Sequence, residues 1–256
     1  MKNQIILWLS SFVILFVIGY IKNITDKDYP MTGTFGIEGY KVSYKLDKVS
    51  YNKSTYRNII ISDIKGVTGK FIWLQDDKKY EMNMNETERG LVIEIPVLKA
   101  GKQIKYKVVL SYKNKTYEIP ESGYVTLTFW GNIPSSVETL YFILLYCGIL
   151  ISLRGALELF NQNKNLKKYI IITCSLFISL TIIINPLYNS YKLGALNHYV
   201  PKVTDLLETS MLILSLVWIV GAVLIFNRKF TKTITMLMTT ATIIIFFCFD
   251  ILIVQN

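Results

Sequence analysis

Histidine and cysteine are scarce: one histidine, His198, and three cysteines, Cys147, Cys174 and Cys248, in 256 residues, of which only 18% are charged. One imidazole cannot furnish both axial ligands of a bis-histidine haem, the three ligands of a His-only catalytic zinc, or the repeated His and Cys of a structural metal site. The cysteines all fall inside long apolar runs, where they read as small packing residues, so the polar part of the chain has no disulfide framework. No G-x-S-x-G, G-x-x-x-x-G-K-[ST] or strand-G-x-G-x-x-G-helix pattern occurs. A nucleophilic hydrolase would have His198 as its only imidazole base, and nothing in the sequence marks a triad around it. The chain therefore carries the signature of no enzyme class, and no cofactor is implied.

Apolar runs are abundant. Hydrophobic residues make up 52% of the chain and clump into five stretches, roughly 5–21, 135–153, 169–187, 206–226 and 233–254, each near the ~20 residues a helix needs to cross ~30 Å of hydrocarbon. The first follows Lys2 and is not succeeded by a small-x-small cleavage site, so it reads as an uncleaved anchor. The net charge of +10 suggests nucleic acid, but its distribution does not: residues 24–132 hold 17 basic and 13 acidic residues. The surplus gathers at Lys2, Arg154, Lys164, Lys167, Lys168, Arg228, Lys229 and Lys232, at alternate ends of the apolar runs. By the positive-inside rule the N-terminus is cytoplasmic and residues 22–134, the 188–205 loop and the C-terminus are outside. The partners expected on these grounds are a lipid bilayer and no nucleic acid.

Between the first two runs the pattern changes to alternation, clearest in Ile104-Lys-Tyr-Lys-Val-Val-Leu-Ser-Tyr112 and Val125-Thr-Leu-Thr-Phe129. Further strands are expected at 41–46, 57–62, 69–74, 79–82, 91–95 and 115–119, separated by turn signals such as Asp76-Asp77 and Lys113-Asn114. About eight short strands in about 100 residues fit an immunoglobulin- or fibronectin type III-like sandwich. The expected organisation is a transmembrane anchor over 1–23, an extracytoplasmic all-β sandwich over 24–132, and a four-helix transmembrane block over 133–256.

The stretches Thr34-Phe-Gly-Ile-Glu-Gly-Tyr-Lys-Val-Ser-Tyr44, Ile95-Pro-Val-Leu-Lys-Ala-Gly-Lys-Gln-Ile-Lys-Tyr106, Lys115-Thr-Tyr-Glu-Ile-Pro120 and Gly131-Asn-Ile-Pro134 resemble those of an uncharacterised group of bacterial membrane proteins. That group pairs an extracytoplasmic immunoglobulin-like domain with a four-helix block, and the resemblance covers most of the chain. It implies this architecture and a bacterial cytoplasmic membrane, and brings no activity with it.

The remaining candidates are polar residues near the outer ends of the spans: Glu138, His198, Asp205, Glu208 and Asp250. Ionisable residues at membrane depth are costly, so a cluster binding a cation or relaying protons is one expectation. Helix capping is the other. Ser135-Ser-Val-Glu138 and Asp205-Leu-Leu-Glu208 both have capping-box spacing, and acids there sit at the positive ends of inward-running helices. Asp250, near a helix C-terminus, lacks that explanation and either reaches interfacial water or meets Lys192, Lys202 or His198. Asn185-Pro186 reads as a helix terminus. Two functions follow: a non-catalytic membrane protein whose sandwich binds another protein, as an accessory or assembly subunit of an envelope complex, or a small transporter or proton-coupled unit using the outer acids.

Overall fold

A computed structural model describes residues 2–51, 56–61, 66–76, 78–88, 90–95, 97–161, 165–194, 203–226 and 231–248. The chain forms two compact units, one of residues 1–27, 133–191 and 195–256, the other of residues 28–132 with 192–194. The N-terminal helix thus belongs to the same unit as the C-terminal helices.

The sheet-rich unit contains β1 (Met31–Ile37), β2 (Tyr40–Leu46), β3 (Val49–Tyr51), β4 (Tyr56–Ile61), β5 (Thr68–Gln75), β6 (Lys78–Asn83), β7 (Asn85–Thr87), β8 (Gly90–Glu94), β9 (Gln103–Tyr112), β10 (Lys115–Ile119) and β11 (Val125–Trp130). One sheet runs β1-β2-β4-β8-β7; the other runs β3-β11-β9-β5-β6, with β10 also pairing β9. Every pairing is antiparallel except β3 with β11. The chain changes sheet five times, over the shortest distances between β2 and β3 and between β6 and β7. At the second of these Met84 donates its N–H to the Gly69 carbonyl at 2.8 Å.

Alternation builds the core directly. Ile104, Tyr106, Val108 and Leu110 of β9 point inward, as do Phe71 and Trp73 of β5 and Val125, Leu127 and Phe129 of β11. They pack with Val42, Leu46, Ile60, Leu91 and Ile93 of the opposite sheet in one cluster, as the pleat requires when one face of each strand is buried. Two-residue turns connect β1 to β2 through Glu38 and Gly39 (φ 47° and 90°) and β9 to β10 through Lys113 and Asn114 (φ 45° and 64°). Both left-handed positions match the twist of the flanking strands. Lys113 Nζ lies 3.0 Å from Glu38 Oε2, so an ion pair joins the two turns and holds the Glu38 carboxyl below its ordinary pKa.

Among the described residues eleven strands replace the eight expected. The added ones are β3 and β7, three residues each, too short to show a period, and β1, whose alternation is masked by glycines. Gly33 is required there: a Cβ on it would run into the Tyr44 ring of the neighbouring strand. In the core, the buried Tyr106 hydroxyl donates to the Asp47 carbonyl at 2.8 Å, tying β9 to the first crossing. Tyr106→Phe is expected to lower the stability of this unit by about 1 kcal/mol, measured by thermal unfolding of the full chain.

The helical unit contains α1 (Lys2–Thr25), α2 (Ser135–Leu157), α3 (Leu166–Ser179), α4 (Asn185–Lys192), a one-turn α5 (Val203–Leu206), α6 (Thr209–Phe226) and α7 (Thr231–Cys248). Among the described residues four helices are long and apolar enough to cross a membrane: 4–25, 135–160, 166–192 and 209–226. The helix 231–247 is apolar but shorter, and the rest of the fifth expected span lies outside the described residues. Asn185-Pro186 does not end its helix, contrary to expectation. The turn Leu180–Ile184 widens to π geometry just before Pro186, which leaves room for a ring that cannot donate to the preceding turn, and the helix runs on to Lys192.

The helical core closes around Phe177, Leu180, Met211, Leu214 and Trp218. Gly148 lets α2 approach α3, because a Cβ on it would stand 2.5 Å from the Phe177 ring. Hydroxyls bond inside the unit: Trp218 Nε1 donates to Thr242 Oγ1 at 2.9 Å, and Thr239 Oγ1 to the Ser152 carbonyl at 3.2 Å. Small residues at crossings and satisfied hydroxyls are what helix association in lipid uses in place of hydrophobic burial.

Candidate functional site

Glu138 is half-buried in the first turn of α2, Asp205 is exposed on α5, and Glu208 is half-buried between α5 and α6; His198 and Asp250 lie outside the described residues. Among the described residues no three of His, Cys, Asp and Glu stand close enough to hold a metal ion.

Neither capping box forms. The N-cap of α2 is Pro134, with no side-chain capping bond; Ser135 is already the first helical residue, and the Pro134 carbonyl accepts from Val137 and Glu138 N–H at 3.0 and 3.1 Å. Proline before the first turn fixes an extended entry and shifts the cap one residue upstream of the serine. Asp205 does not cap the fourth span either. It belongs to a separate turn, and the Glu208 carbonyl takes the first α6 bond, from Leu212 N–H at 3.1 Å.

Below these acids, one face of the third span lies against the start of α6. Thr181 Oγ1 donates to the Met211 carbonyl at 3.1 Å, and Asn189 Nδ2 to the Leu206 carbonyl at 2.9 Å. Asn185, one turn from each, is fully buried; its Oδ1 accepts from Asn189 at 3.4 Å.

The strongest electrostatic feature of the helical unit is one the sequence reading passes over. Arg154 and Glu158 are 0% and 1% exposed and form an ion pair, Nη1 to Oε2 at 2.6 Å. The guanidinium is cradled by rings on two other helices, 5.7 Å from the Trp8 centroid and 4.9 Å from that of Tyr169, and its Nη2 donates to Gln4 Oε1. Glu158 Oε1 faces Asn161 Nδ2 at 3.5 Å. One residue of α2 therefore gathers α1 and α3, and its geometry is that of a planar cation between aromatic faces. Counting Arg154 only as a positive-inside charge hides this. The signal was the i,i+4 spacing of Arg154 and Glu158 at the end of an apolar run. Fully buried and in contact with three helices, the cluster acts as a clamp between them.

The sheet-rich unit presents a different kind of site. Among the described residues β6 is the end strand of its sheet, paired only with β5, from Lys70↔Asn83 to Gln75↔Lys78. All six of its residues are exposed, whereas an ordinary edge strand buries alternate side chains. Tyr80 lies on the core-side face opposite Trp73, its ring stacked at 5.2 Å and 16°, yet remains 41% exposed; Met82 on the same face is 42% exposed. Lys79 and Glu81 occupy the other face, opposite Leu74 and Ile72, and pair at 2.7 Å. Their hydrogen bond raises the Lys79 pKa and lowers that of Glu81, so both are charged at neutral pH. A strand with a free edge, an aromatic on one face and both charge signs on the other can take up a further strand, with main-chain bonds for affinity and side chains for selectivity. The alternation locates this strand in the sequence; its exposure is a property of the fold and is not written in it. Compared with known proteins, the chain matches no family model, no curated protein and no solved structure.

Proposed function

We propose that this is a non-catalytic multi-pass membrane protein whose extracytoplasmic sandwich recognises another protein chain, as an accessory or assembly subunit of a bacterial envelope complex. The observation that carries this reading is the edge strand β6, unpaired on its outer side and exposed at every residue. An immunoglobulin type of sandwich is supported by the strand order. β2-β4-β8-β7 and β3-β11-β9-β5-β6 correspond to the A-B-E-D and A′-G-F-C-C′ sheets of such domains, with β1 added as an extra hairpin strand and Trp73 on the third strand of the set. The four apolar helices support membrane residence, and the distribution of lysine and arginine supports an N-terminus inside and residues 22–134 outside.

The test is purification of the tagged full-length chain in mild detergent. A protein partner, either a different chain or a co-expressed untagged copy of this one, is expected in stoichiometric amount with wild type and with the exposed control Glu121→Lys, and its yield should fall roughly tenfold with Tyr80→Lys, the loss typical of an aromatic anchor. No reproducible partner in the wild type, or full retention by Tyr80→Lys, overturns the reading.

A further inference from the structure

We infer that β6 recognises a second copy of this chain, pairing antiparallel with its own counterpart about Tyr80. This rests on the reading of the sandwich as a recognition domain and names its partner. Directly opposed residues of an antiparallel pair share a face. If two copies are to keep their core faces on the same side of a joined sheet, some residue of β6 must face itself. Centring on Lys79 opposes two like charges, and centring on Glu81 opposes two carboxylates, both destabilising. Centring on Tyr80 sets Lys79 against the second copy's Glu81 and Glu81 against its Lys79, two opposite-charge pairs on the solvent face. On the other face the two Tyr80 rings meet, each already stacked on its own Trp73. Lysines on an edge strand normally deter foreign strands. Centring on Lys78 opposes two like charges, and centring on Met82 or Asn83 sets Lys79 and Glu81 against uncharged residues, so the Tyr80 register is the one in which both charges meet opposite ones. Lys79 and Glu81 already pair within the strand at 2.7 Å; dimerisation exchanges that partner for an equivalent one across the interface.

The experiment uses the full-length chain in its membrane, with Cys147, Cys174 and Cys248 replaced by alanine. Single cysteines are then introduced by Tyr80→Cys or Met82→Cys and oxidised. Tyr80→Cys is expected to give a disulfide dimer, since opposed Cβ atoms lie ~4.5–5.5 Å apart. Met82→Cys should not, because its counterpart sits about four residues away, ~13 Å along the strand. In the cysteine-containing chain Lys79→Glu and Glu81→Lys should each weaken association about tenfold by turning both cross-strand pairs repulsive, and the double swap should restore it. Equal cross-linking at both positions, or no rescue by the double swap in the chain that keeps Tyr80, overturns the self-pairing. If a different protein still co-purifies in a Tyr80-dependent way, only the self-pairing falls; if nothing depends on Tyr80, recognition through this edge falls with it.

Discussion

Arg154→Ala is expected to destabilise the helical unit by roughly 3–5 kcal/mol, the cost of removing one partner from a buried ion pair. The loss is large because three contacts share one group. Glu158, 1% exposed, would lose its countercharge; Gln4 would lose its donor; and Trp8 and Tyr169 would face a cavity in place of a guanidinium. Removing both charges is expected to be much milder, since Arg154→Met with Glu158→Leu fills the volume and eliminates the desolvation cost, which often leaves such sites neutral or more stable. Arg154→Lys should fall on the severe side, because an ammonium neither stacks between two rings nor reaches Gln4 and Glu158 in one plane. Thermal unfolding in detergent, followed by the helical signal at far-ultraviolet wavelengths, ranks the three variants. A double variant as unstable as Arg154→Ala would show that shape, rather than charge compensation, dominates the site. Trp8 fluorescence adds a local readout, since this ring should become more solvent-accessible when α1 loses its clamp.

How much of this was legible in the sequence depends on the length scale of each signal. Apolar runs of about 20 residues locate the helices within a few positions, because the hydrocarbon thickness is a strong and long-range constraint. Alternation in Ile104–Tyr112 and Val125–Phe129 places two central strands for an equally simple reason: both have one face in the core. The misses are short or compensated. β3 and β7 complete only one and a half periods each, and β1 is broken by Gly33, whose absent side chain is needed under Tyr44. The capping boxes fail because Pro134 in one case and a separate helical turn in the other move the helix start by one and by three positions. Asn185-Pro186 reads as a stop because a local rule ignores the π turn before it. Strand order, which underlies the assignment of β6 as an edge, is a pairing of distant segments and has no local sequence signature. The Arg154 cluster was the most readable of the missed features: a charged i,i+4 pair beside an apolar run, with a tryptophan and glutamine near the start of another.

Phe71→Ala is expected to be the most damaging single change in the sheet-rich unit, at about 3–5 kcal/mol for a large-to-small aromatic deletion. Phe71 is fully buried on β5, stacked on Tyr106 at 4.9 Å and tilted against Trp73 at 5.7 Å. Its ring is the link between the aromatic row ending at Tyr80 and the interior of the sandwich. For a unit of about 100 residues that loss corresponds to a fall in Tm of about 15–30 °C. The two units have separate hydrophobic clusters, so unfolding of the full chain should resolve two transitions, with Phe71→Ala moving the sheet-derived one and Arg154→Ala the helix-derived one. Tyr80→Lys belongs at the other end of the scale. It alters an exposed residue at the edge of the same aromatic row, where substitutions usually stay within about 0.5 kcal/mol. The sheet-derived transition should then remain near its wild-type temperature while association is lost. That contrast separates the two roles of the row: its buried end, Phe71 and Tyr106, holds the sandwich together, and its exposed end, Tyr80, is free to meet another chain.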